Sequence, residues 1–77
     1  MIAEIKIPMH PADIQSELKK AGLTQRYIAD ELAISEVTVS TVISGRVTSK
    51  RIASFIAEKI NKDIDVIWPG RYQEPVN

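Results

Sequence analysis

The sequence predicts an all-α fold, a compact bundle of four to five short helices organised around Gln25–Ser44. Within this stretch, two groups of apolar residues have the spacing of a buried helical stripe, namely Ile28, Ala29 and Leu32, then Val39, Val42 and Ile43. Ile34 and Ser35 interrupt the pattern between them. Two helices joined by so short a turn pack against each other at a steep angle, and the outer face of the second helix stays uncovered.

Length and composition set the scale of the protein. Its 77 residues predict one domain, with an arm at residues 1–9, a helical domain at residues 10–72 and a tail at residues 73–77. A chain this short buries only about 60% of its unfolded surface, which gives one small core and no second lobe. There is no Cys for a disulfide or a thiolate zinc site. We expect no cofactor.

Nothing in the sequence suggests a membrane or secreted protein. No stretch approaches the roughly 20 apolar residues of a membrane span. Met1–Met9 is short and is interrupted by Glu4, Lys6 and Pro8, unlike a secretory signal. We therefore expect a cytoplasmic protein with no membrane partner.

The N-terminal arm allows two interpretations. Ile5 and Ile7 alternate with Lys6, which suits a short strand that pairs with its copy in a dimer or packs along the domain. A loose terminus fits equally well.

The first helix is predicted to begin at His10-Pro11, because Pro is well tolerated in a first helical turn. Ile14, Leu18 and Ala21 form its predicted buried stripe, and Gly22 is a natural stop. Thr24 is then placed to cap the next helix, with Gln25 as the first residue inside it.

The second helix of the central pair is the most ambiguous element. Its β-branched run E-V-T-V-S-T-V-I reads as a strand on propensity alone. Ser35 as an N-cap, Gly45 as a C-terminal stop and the matching helix before it favour a helix instead.

Two further elements complete the bundle. Thr48 or Ser49 can cap a helix over Lys50–Asn61, and Asn tolerates the left-handed conformation that ends a helix. Asp63 can cap a last short turn before Pro69-Gly70.

The central pair resembles the helix-turn-helix of the lambda-repressor-like class, with Gln25 opening the first helix and Ala29 at the closest approach of the two helices. Leu32, Ile34, Val39 and Val42 match the usual core positions. The family commonly has Gly in the turn where Ala33 stands, and Ala pays roughly 1 kcal/mol for a left-handed conformation.

A wider resemblance covers about His10–Tyr72. H-P-A-D-I, the central pair and I-W-P-G-R-Y together are similar to the phage Ner-like regulators. This resemblance implies a sequence-specific regulator of transcription that binds double-stranded DNA. It further implies a phage or prophage repressor that acts by occupying promoter DNA.

The second helix of the central pair is the predicted reading helix, and its outer face is the predicted reading surface. Its side chains are small enough to enter a major groove and touch base edges. Glu36 can accept a hydrogen bond from cytosine, or only favour the helix start by its charge. The candidate base contacts are Glu36, Val37, Ser40 and Thr41.

The phosphate contacts are predicted around this helix. Net charge is zero, yet between Val37 and Ile56 all three charged residues are basic, which gives the molecule one basic edge. Gln25 opens a helix whose N–H groups attract phosphate. The candidate phosphate contacts are Gln25, Ser44, Arg46, Lys50 and Arg51.

Two other function classes deserve comparison. A protein-interaction module that kept the fold without DNA affinity would fit the neutral net charge and the short side chains of the reading helix. An enzyme fits poorly, because no paired nucleophile and base, no metal-spaced cluster and no phosphate-binding glycine loop is present. We expect no small-molecule substrate.

Two copies on adjacent half-sites, or a homodimer, would extend the DNA site of so small a protein. The candidate contact points between copies are Ile5 and Ile7, or Val66 and Ile67.

Overall fold

A computed structural model describes residues 7–72, and the predicted all-α fold is confirmed there. This part of the chain contains five helices and no strand. The helices are α1 (Pro11–Lys20), α2 (Gln25–Leu32), α3 (Glu36–Ile43), α4 (Lys50–Lys59) and α5 (Ile64–Ile67).

The helices begin at the predicted residues, and four of the five starts have a side-chain cap. The side chains of His10, Thr24, Ser35 and Ser49 each accept a hydrogen bond from a backbone N–H in the first turn that follows. His10 does so through Nδ1, at 3.0 Å from the Ala12 nitrogen. Asp63 is the N-cap residue of α5 as predicted, but its side chain makes no such bond.

The first four helices end in the same way. In each, a residue one or two positions beyond the last helical residue has a left-handed backbone. Its own N–H and the N–H of the residue after it donate to carbonyls of the last turn, which is the Schellman motif. The four left-handed residues are Gly22 (φ 77°), Ala33 (φ 56°), Gly45 (φ 81°) and Asn61 (φ 56°). Three of them are residues that adopt this conformation readily, and Ala33 is not.

One apolar core joins all five helices. Within residues 7–72, every buried side chain is hydrophobic, and no buried polar side-chain atom lacks a hydrogen-bond partner. The largest completely buried side chains are Ile14, Leu18, Ile28, Val39, Val42, Ile56 and Ile67.

The β-branched run of α3 is helical because its burial outweighs its propensity. Val39, Val42 and Ile43 face the core with at most 2% of their surface exposed. At about 2 kcal/mol per buried aliphatic side chain, this burial exceeds the few tenths of a kcal/mol by which β-branched residues disfavour a helix.

The chain before α1 is attached to the last helix. The Met9 N–H donates to the Ile67 carbonyl at 3.1 Å, and the Met9 side chain packs against the core. Ile7 is 79% exposed. The rest of the predicted arm, residues 1–6, and the predicted tail, residues 73–77, lie outside the described residues.

Among residues 7–72, no helix is long and apolar enough to cross a membrane.

Ala33→Gly is expected to stabilise the protein by about 1 kcal/mol, because Gly adopts the φ of 56° without steric cost. For a domain of this size that corresponds to a rise in Tm of about 4–8 °C, measurable by circular dichroism. Ala21→Gly is the matched control. Ala21 is exposed, so its predicted burial is wrong, and it ends α1 with an ordinary φ of −80°. An equal rise in both variants, or none at Ala33, would contradict the account of this turn.

Candidate nucleic-acid interface

The turn between α2 and α3 fixes the orientation of α3. Ala33 is left-handed, the Ile34 N–H donates to the Ala29 carbonyl at 2.9 Å, and Ser35 then caps α3. Among the helix pairs, α2 and α3 make the most extensive contact. This arrangement is a helix-turn-helix, in which the second helix is held by one side against the first.

The outer side of α3 is open. At about 3.6 residues per turn, Val37 lies opposite the stripe that faces the core, and 72% of it is exposed. Glu36 and Ser40 are exposed beside it. Three of the four predicted base contacts thus share one uncovered face.

Thr41 differs from the other three. It is half-buried, and its hydroxyl donates to the Thr38 carbonyl one turn earlier, at 2.8 Å. With its hydrogen engaged, the side chain can offer DNA a methyl group and an accepting oxygen. Thymine methyls and base amino groups are therefore its possible contacts.

The predicted phosphate contacts lie at the ends of three helices. Gln25 is the half-buried first residue of α2, and Lys50 is the exposed first residue of α4. Ser44 and Arg46 are exposed directly after α3, where the Ser44 hydroxyl donates to the Thr41 carbonyl at 3.1 Å. The structure brings Ser44 and Arg46 next to the C-terminal end of α3, the predicted reading helix.

Arg51 has a role inside the fold that the sequence did not reveal. Its Nη2 donates to the Leu32 carbonyl at 2.9 Å, at the end of α2. The guanidinium satisfies a carbonyl that the helix leaves unpaired and offsets the negative end of the helix dipole. Arg51 thereby ties α4 to α2, and its exposed side chain retains further N–H groups for a phosphate.

The C-terminal segment Trp68–Tyr72 contacts the end of α3 and the loop between α3 and α4 at three backbone groups. Trp68 Nε1 donates to the Ile43 carbonyl at 3.4 Å, and Arg71 Nη2 donates to the Gly45 carbonyl at 2.6 Å. The Tyr72 hydroxyl accepts from the Ser49 N–H at 3.1 Å. This loop contains Arg46, so the segment helps to position a predicted phosphate contact.

Sequence reasoning assigned no role to Arg71 or to the Tyr72 hydroxyl. The signal for both was the I-W-P-G-R-Y motif, which contributed to the resemblance but was not connected with the loop after α3. The two rings of the motif stack edge to face, with centroids 5.7 Å apart for Trp68 and Tyr72.

No group of three or more His, Asp or Glu side chains that could hold a metal ion occurs in the part of the chain that the structure describes.

Comparison with known proteins decides the family. Residues 8–77 match the profile of the family described as winged helix-turn-helix DNA-binding, which is nearly the whole chain. The chain belongs to this winged helix-turn-helix DNA-binding family. A stretch of 65 residues is also 37% identical to the Mu-like prophage FluMu DNA-binding protein Ner of Haemophilus influenzae, covering 84% of this chain and 71% of that protein. No solved structure matches.

These matches confirm the predicted resemblance, and the chain is a Ner-like phage regulator. The family description mentions a wing, which is usually a β-hairpin beside the reading helix. Residues 7–72 of this winged helix-turn-helix protein contain no strand, so its described surface around α3 is formed by helices and loops alone.

Proposed function

We propose that this Ner-like protein binds double-stranded DNA sequence-specifically and represses phage or prophage transcription by occupying promoter DNA. The observation that carries the proposal is the uncovered outer face of α3, held by α2 in a helix-turn-helix. The similar Haemophilus influenzae protein is named as a prophage DNA-binding protein, which supports the same function here.

In this proposal α3 lies in the major groove. Val37 contacts a thymine methyl, while Glu36 and Ser40 hydrogen-bond to base edges. Thr41 contacts the groove through its methyl group or its oxygen. Small side chains allow the helix backbone to approach the bases closely, which compensates for the absence of Arg or Asn on this face.

The phosphate backbone is held on both sides of α3. Gln25 contacts it at the start of α2, and Ser44 and Arg46 contact it at the end of α3. Lys50 and Arg51 contact it from the start of α4. A protein with zero net charge can bind DNA in this way because Arg46, Lys50 and Arg51 follow the reading helix in a stretch that contains no acidic residue.

Two copies on adjacent half-sites would lengthen the sequence that is read. Ile7 and Val66 are candidate contact points, with 79% and 53% of their surfaces exposed. Ile67 is completely buried in the core, so the contact predicted for it is wrong. Ile5 lies outside the described residues.

The combined substitution Arg46→Ala and Lys50→Ala tests the phosphate contacts. Binding of a fluorescent random-sequence duplex should weaken with salt, because phosphate contacts release counterions. The double variant should reduce the slope of log K against log salt by about 2. Equilibrium titrations at several salt concentrations measure this slope.

The matched control is Lys59→Ala with Lys62→Ala, which removes the same charge from the other end of α4, about 15 Å away. This control should keep the wild-type slope. Equal slopes for all three proteins would contradict the assigned phosphate contacts. If the wild type binds no duplex even at low salt, the protein-interaction function replaces the proposed one.

A further inference from the structure

Arg71 is an exposed basic side chain that reaches the end of the reading helix from the C-terminal segment. The turn before it is held by two hydrogen bonds, from the Gly70 N–H to Asp65 Oδ1 at 3.1 Å and from the Arg71 N–H to the Trp68 carbonyl at 3.2 Å. Because Trp68 is itself buried, the backbone of Arg71 is anchored to the core. The side chain then extends to Gly45, the first residue beyond the cap of α3.

The guanidinium lies directly against Gly45. Its Nη2 donates to the Gly45 carbonyl at 2.6 Å, and its Nη1 would be only 3.3 Å from a Cβ atom placed on Gly45. Both terminal nitrogens are therefore close to one glycine. Gly45 serves two purposes here, since it adopts a φ of 81° and leaves room for the arginine.

Among residues 7–72, the guanidinium of Arg71 donates one hydrogen bond, to the Gly45 carbonyl. An arginine has five N–H donors, and the Gly45 carbonyl takes one of them. No carboxylate in residues 7–72 forms an ion pair with Arg71, and the residue is exposed. Ser44 and Arg46, the chain neighbours of Gly45, are two of the predicted phosphate contacts.

We propose that Arg71 is a further DNA phosphate contact, held in position for the backbone by the Gly45 carbonyl. The inference rests on the proposed function, because it places the same edge of the protein on duplex DNA. A guanidinium suits a phosphate because it can donate two parallel hydrogen bonds. The bond to Gly45 orders the side chain before DNA arrives, which reduces the entropy lost on binding.

Three variants test this contact, namely Arg71→Ala, Arg71→Lys and, as the control for charge, Lys62→Ala. Each is titrated with one duplex at several salt concentrations, and circular dichroism melts verify that each is folded. Arg71→Ala should weaken binding about tenfold and reduce the salt slope by about 1. Arg71→Lys should keep most of the slope, since the charge remains, and recover only part of the affinity. Lys62→Ala should resemble the wild type.

The outcomes separate this inference from the proposed function. A folded Arg71→Ala variant with the wild-type affinity and salt slope would overturn the inference about Arg71. The proposed function would still be supported in that case, because the wild type binds the duplex. Weaker binding with an unchanged slope would also overturn it, because Arg71 would then only support the loop after α3. A wild type that binds no duplex would overturn the function and the inference together.

Discussion

A Val37→Glu variant is expected to bind its DNA site at least about a hundredfold more weakly than the wild type. Val37 lies at the centre of the open face of α3, with 72% of its surface exposed. A carboxylate there would lie in the groove between two phosphate backbones. Its repulsion from these negative charges costs several kcal/mol. A loss of about 2.7 kcal/mol is a factor of about a hundred in affinity. Fluorescence anisotropy with a fixed duplex measures the change.

The fold should tolerate this substitution. Val37 makes little contact with the core, and an acidic residue in the first turn of a helix interacts favourably with the helix dipole. Ser16→Glu, on the exposed surface of α1, adds the same charge elsewhere and should change binding far less. A folded Val37→Glu variant that binds as tightly as Ser16→Glu would show that the open face of α3 does not contact DNA.

A Trp68→Ala variant is expected to lose about 3–5 kcal/mol of stability, the usual cost of removing a large buried aromatic side chain. Trp68 is 4% exposed and donates to the Ile43 carbonyl at the end of α3. Small domains are stable by only about 5–15 kcal/mol, so this loss is a large fraction of the total. The Tm should fall by more than about 12 °C, as measured by far-ultraviolet circular dichroism.

Trp68→Phe separates the two contributions of this side chain. It keeps an aromatic ring in the core and removes the Nε1–H donor, so its cost should be about 1–3 kcal/mol. The expected order of Tm is therefore wild type, Trp68→Phe, Trp68→Ala. If Trp68→Ala melted within a few degrees of the wild type, the C-terminal segment would not be anchored in the core as described.

The helices could be predicted because their signals are local. Residues three and four apart on one helix share a face, so the positions of Val39 and Val42 indicate the buried side of α3 without knowledge of the rest of the fold. Ser35 and Gly45 mark the helix ends through hydrogen bonds and backbone angles that involve only nearby residues. These local signals outweighed the strand propensity of the same run.

The contacts between distant segments could not be predicted in this way. Arg51 and Leu32 are 19 positions apart, and Arg71 and Gly45 are 26 positions apart. No spacing rule relates an arginine to a carbonyl at such distances, because the pairing depends on how the helices pack. The burial of Ile67 is similar, since its short helix provides only one turn from which to infer a face.

Ala33 shows how a departure from a pattern can be interpreted physically. The chain adopts the left-handed turn with Ala at a φ of 56°, at the position where the resemblance to the lambda-repressor-like class predicts Gly. The Ile34 N–H bond to the Ala29 carbonyl and the packing of Ile34 against the core hold this turn in place. We therefore expect Ala33 to reduce stability relative to Gly while the geometry of the helix pair is retained.

The central claim is that the open face of α3 recognises base sequence. The most direct test is selection of duplexes from a random library by the wild type and, in parallel, by Val37→Ala and Ser40→Ala. We expect the wild type to enrich one short sequence, and each variant to lose preference at a different position within it. Enrichment of no sequence by the wild type, or the same preferences at every position in all three proteins, would contradict the claim.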